Sequence, residues 1–119
     1  MGRPVSHAAA SPLPGTSAVR LSLEAVPWET PLPLLRTKAI ERDGVRFRIM
    51  EFEAGFEEPD WCRRPHRGLL LEGRLEIAFP DRTEVVEAGE ALDIPAGDAH
   101  RHKARPLTPT ARLFLIDPL

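Results

Sequence analysis

Thirteen prolines and eight glycines, spread as punctuation between short segments, constrain this 119-residue chain more than any other feature. Prolines at that density oppose long helices, and no window longer than about ten residues keeps a 3.6-residue apolar period. What remains is short β-type runs separated by turns every 8–12 residues, the pattern of an all-β sandwich or barrel.

Along the chain, residues 1–18 (MGRPVSHAAASPLPGTSA) have almost nothing to bury and are expected to form a flexible arm, with His7 an exposed bystander. Residues 19–119 are expected to form one domain around a modest core. Val19, Leu21 and Leu23 alternate with Arg20, Ser22 and Glu24, which predicts a strand. The three prolines of residues 27–36 predict an extended connection rather than a strand. Thr37–Ile40 and Val45–Phe52 flank ERDG and predict a hairpin with Asp43-Gly44 at its tip. Further β-type runs are expected at Leu69–Phe79 with a break at Glu72-Gly73, at Thr83–Glu87, at Ala91–Ile94, in a histidine strand after Pro95–Asp98, and at Thr110–Ile116.

A net charge of −2 with acidic and basic residues interspersed gives no reason to expect nucleic acid or an anionic membrane as partner. No apolar run approaches the roughly 20 residues of a membrane span. One cysteine and no recognisable signal segment fit a cytoplasmic location.

Three of the four histidines lie near one another or near the only cysteine: His100 and His102 close the stretch GEALDIPAGDAHRHKA, and His66 follows Cys62. The spacing Gly89-x5-Pro95-x-Gly97-x2-His100 resembles the second motif of the cupins, with Ala104 where that family has Asn. Upstream, LLLEGRLEI (Leu69–Ile77) resembles the cupin strand that ends in glycine, here Gly73, and fifteen residues separate Gly73 from Gly89 as in compact microbial cupins. The resemblance covers about residues 45–116. It implies an all-β, double-stranded β-helix (jelly-roll) barrel of antiparallel strands with little or no helix.

The cupin first motif, H-x-H-x3–4-E-x6-G, is degenerate here. Counting back from Gly73, its ligand places fall on Asp60, Cys62 and His66. All three residue types bind metal, and they share parity along an extended chain. With His100 they form the metal-ligand set that the resemblance implies: Asp60, Cys62, His66 and His100. A Cys/His/His set with an optional carboxylate suits a divalent transition metal (zinc, iron, nickel or copper) better than magnesium or calcium. His102 shares the parity of His100, so both are expected to face the interior, with His102 a fourth ligand or a proton-transfer group. Arg64, with the parity of Cys62 and His66, is the candidate to hold an anionic substrate group. The implied activity is a small metal-dependent enzyme, dioxygenase- or isomerase-like, acting on a small molecule. The alternatives are a non-catalytic ligand-binding or sensor cupin without metal, a scaffold, and a thiol nucleophile at Cys62 with a histidine partner. A homodimer is expected, built on the Val19–Glu24 strand at a sheet edge.

Overall fold

The computed structural model describes residues 17–119, so the arm expected at residues 1–18 lies almost wholly outside the described residues. Nine strands follow in order: β1 (Glu29–Leu32), β2 (Leu35–Arg42), β3 (Val45–Glu53), β4 (His66–Glu72), β5 (Arg74–Phe79), β6 (Arg82–Glu87), β7 (Ala91–Ile94), β8 (Lys103–Pro106) and β9 (Thr110–Pro118). They form two facing antiparallel sheets, a six-stranded one in the order β1-β2-β3-β9-β4-β7 and a three-stranded one in the order β6-β5-β8. The last strand inserts between β3 and β4, the crossed connectivity of a jelly roll. Helix among the described residues is limited to two single turns of 3-10 type, Leu23–Ala25 and Asp98–His100. None is long and apolar enough to cross a membrane.

The β2–β3 hairpin forms as the sequence predicts. Asp43 and Gly44 both take positive φ, 52° and 79°, as a two-residue turn with the strands' own twist demands. Gly73 separates β4 from β5 at φ 82°, and a Cβ there would run into the Thr110 carbonyl. This explains why the long β-type run breaks at that point.

Two expectations are corrected. Val19–Glu24 is not a strand: it runs through a bend into the Leu23–Ala25 turn, and Val19 is largely exposed. Its alternation therefore marks no sheet face, and the edge-pairing basis for a dimer falls with it. Conversely, the proline-rich stretch does contribute a strand, β1, which pairs only with β2 at the sheet edge. An edge is where Pro31 costs no ladder hydrogen bond on its outward side.

Between the sheets, Leu35, Phe52, Phe56, Leu70, Leu75, Ile77, Ile94, Ala104, Ala111, Leu113 and Leu115 make one apolar core. Strand β9 shows how the core is laid out. Its inward residues are Ala111, Leu113, Leu115 and then Asp117, all buried. The interior thus passes from apolar at one end to charged at the other, and the polar end carries the candidate site.

Candidate metal centre

Three ligand-type side chains meet at that polar end. One ligand atom from each of Cys62, His66 and His102 lies within 4.8 Å of the other two, and no other such group occurs among the described residues. His66 opens β4. Cys62 and His102 are held together by a two-residue antiparallel bridge, with Cys62 N–H donating to the His102 carbonyl at 2.8 Å and His102 N–H to the Cys62 carbonyl at 3.0 Å.

Hydrogen bonds fix both imidazoles. The Nδ1–H of His66 donates to Asp117 Oδ2 at 3.3 Å, and Arg48 holds the same oxygen at 2.8 Å. The Nδ1–H of His102 donates to the His100 carbonyl at 3.0 Å. With Nδ1 carrying the proton in each neutral ring, the lone pair is left on Nε2. His66 Nε2 lies 3.5 Å from Cys62 Sγ, and the two rings meet edge to face at 5.2 Å. His102 is only 2% exposed, and its Nε2 is buried without a partner.

Electrostatics agree with a neutral ring at His102. Burial pushes the His102 imidazole below its ordinary range, with nearby His66 adding to the effect and the His100 carbonyl opposing it. Burial alone would raise the Asp117 carboxyl, but the His66 bond and the Arg48 charge outweigh it and hold it below the usual carboxylate range. Glu58 is a further group at this end. Its Oε1 accepts the Ala104 N–H at 2.8 Å, and burial raises its carboxyl above the ordinary range against that bond. Glu58, His66 and His102 all border a small internal cavity of about 40 Å³ otherwise walled by core residues.

The expected site residues therefore divide. Cys62 and His66 come together as their spacing suggests, and the third histidine beside them is His102. His100 does not share its face: the Asp98–His100 turn interrupts the expected histidine strand, so the parity argument fails. His100 is exposed and lines a separate hollow with Phe79, Arg82 and Glu84. Asp60 and Arg64 are exposed bend residues outside the cluster. Asp117, Arg48 and Glu58 were absent from the expected set. Asp117 had a signal, as the inward-parity residue ending an otherwise apolar alternation; Glu58, in an acidic loop, had none.

The donor set fits a transition-metal ion. Metal–sulfur and metal–nitrogen bonds of about 2.3 and 2.0–2.1 Å at a tetrahedral angle put S and N about 3.5 Å apart, as found for Cys62 and His66. The unpartnered His102 Nε2 is the buried donor that an ion would satisfy.

Two facing antiparallel sheets of this connectivity are the fold of the cupin superfamily, and solved cupin structures resemble the chain over most of its length. No protein-family profile and no curated protein sequence matches it. Among solved structures it is similar to the polyketide cyclase RemF from Streptomyces resistomycificus (25% identity, 86% of this chain and 80% of that one, TM-score 0.71). It is also similar to a cupin-2 domain containing protein from Shewanella frigidimarina (26% identity, 67% and 76%, TM-score 0.57). In fold alone it resembles a cupin-superfamily sugar phosphate isomerase from Silicibacter pomeroyi (14% identity, 84% and 75%, TM-score 0.69).

Proposed function

We propose that this protein is a metal-dependent cupin enzyme that moves protons on a small-molecule substrate, with Cys62, His66 and His102 as the ligands of a divalent transition metal. One observation carries the reading. Both imidazoles are tied through Nδ1 to an oxygen acceptor, which leaves Nε2 to bind an ion, and one ligand atom of each lies within 4.8 Å of the other and of one from Cys62. When bound, the ion supplies Lewis acidity at a position left open by three protein ligands. Asp117 and Arg48 orient His66. Glu58, whose carboxyl burial raises above its ordinary range, stands at the edge of the same cavity as the candidate proton-transfer group. Isomerase-like chemistry suits such a carboxyl, and the polyketide cyclase among the similar structures is the enzyme that lends support to a catalytic role. The homodimer belongs to this reading too, through the outer face of the six-stranded sheet, where Leu69 and Leu71 are exposed.

Elemental analysis of protein purified without a histidine tag or chelator tests the site. About one ion per chain is expected, falling well below that in C62S and H102A and persisting in H100A. Loss in H100A with retention in H102A would return the ligand role to His100, and metal that ignores all three substitutions would end the reading.

The geometry also favours a second reading without an ion. Cys62, His66 and Asp117 form a thiol–imidazole–carboxylate chain, the arrangement that activates a nucleophile. It requires stoichiometric alkylation of Cys62 by iodoacetamide at neutral pH, depressed in H66N, and an inert thiol would exclude it.

A further inference from the structure

At the polar end of the six-stranded sheet, β4 and β9 separate. Their ladder stops at Gly68↔Leu115. Beyond it β4 stays with β7 as far as His66↔Ile94, while β9 stays with β3 as far as Pro118↔Val45. His66 and Asp117 span the split through side chains alone. The split opens a cleft of about 670 Å³, a size suited to a small organic molecule.

Its walls are apolar: Val45, Ile116 and Pro118 on one side, Pro65, Ile94 and Pro95 on the other. At its base lies Asp117, whose side chain is 4% exposed. Oδ2 of Asp117 receives both Arg48 and His66, whereas Oδ1 is buried and receives no donor. A buried carboxylate oxygen without a donor is unfavourable and is relieved by any donor that reaches it. The charged residues at the rim, Arg67 and Asp93, pair with each other at 3.0 Å and offer no free cation.

We propose that this cleft is a binding site for a small, largely apolar hydroxylated molecule, a phenol or cyclic alcohol whose O–H donates to Asp117 Oδ1. The carboxylate at the base disfavours anions. Arg48 already balances its charge, so a neutral donor suits it better than an ammonium group. Proline rings and branched aliphatic side chains on facing walls suit a flat body. The site needs no ion and meets His66 from the Asp117 side, so it stands apart from the metal reading.

The probe is 2-naphthol, titrated by calorimetry and by amide shifts in the full chain, with 2-methoxynaphthalene as the partner lacking the donor. Saturable 2-naphthol binding is expected, with shifts at Val45, Ile94 and Ile116, and about ten-fold weaker binding of the ether, the worth of one hydrogen bond. Ala96→Trp, on the exposed loop of the cleft, should abolish binding while leaving the circular dichroism and metal content unchanged. Affinity should hold within about three-fold before and after chelator treatment, so a failed metal experiment leaves this one standing. No saturable binding by folded protein, equal affinity for the two probes, or unaltered binding in the Ala96→Trp variant would overturn the proposal.

Discussion

Substituting Gly68 by alanine tests the frame on which the candidate site hangs. Gly68 is the last residue of β4 paired to β9, two positions from His66. Its φ is ordinary, so the constraint is purely steric. A Cβ would fall on the Phe114 carbonyl oxygen, with the carbonyl carbon at 2.8 Å and Leu115 Cδ2 at 2.9 Å. Comfortable carbon–carbon contact begins at about 3.5 Å, so the strands must part by at least about 0.7 Å. Ladder bonds near 3 Å then pass beyond useful length. Losing about two net bonds at 0.5–1.5 kcal/mol each, with about 1–3 kcal/mol of overpacking, gives about 2–6 kcal/mol. Urea unfolding monitored by tryptophan fluorescence should show that loss with an unchanged slope. Because β4 delivers His66, metal affinity should fall as well. A G68A protein within about 0.5 kcal/mol of the parent would refute the close approach of β4 and β9, and with it the placement of His66.

Three further outcomes are expected. Glu58 has a raised folded-state pKa, so its contribution to stability is fully present below its unfolded value and is lost as pH rises through the folded one. Glu58→Gln should therefore become progressively more favourable relative to the parent as pH rises above 4.5, and the opposite trend in urea midpoints would contradict its burial. His102 has a lowered folded-state pKa, so in metal-free protein its contribution is present above about 6.5 and is lost as pH falls through the folded value. Its ring protons followed by NMR should titrate below 6.5, and a midpoint above that would refute the buried neutral ring. Asp117→Asn should weaken metal affinity about 10–100-fold through loss of His66 orientation, read by competition with a chromophoric chelator; unchanged affinity would remove Asp117 from the site.

The fold was largely legible because turn chemistry and alternation are local. Asp43-Gly44 and Gly73 mark breaks that any chain must make there, and Ala111, Leu113 and Leu115 declare one dry face. Val19–Glu24 misled because three alternating apolar residues also fit a segment that winds across the sheet's outer surface, where Leu21 and Leu23 line a hollow with Trp28 and Ile49. The site was half legible. Spacing picked out Cys62 and His66, but which of His100 and His102 faces inward depends on a single 3-10 turn, and one residue of twist decides it. Glu58 reaches the cavity only because its loop docks on Ala104, a contact between segments 46 residues apart that no local pattern records.

The reciprocal backbone bonds between Cys62 and His102 have a consequence for the order of events in folding. They close a loop of about 40 residues, and closing such a loop in an unfolded chain costs about 4 kcal/mol by cross-link entropy. Folding meets that cost without an ion, so an incoming metal would find two of its proposed ligands already side by side. The same bond pair makes release difficult: an ion held by both residues leaves readily only when the bridge itself opens, so metal escape and local unfolding should share one rate.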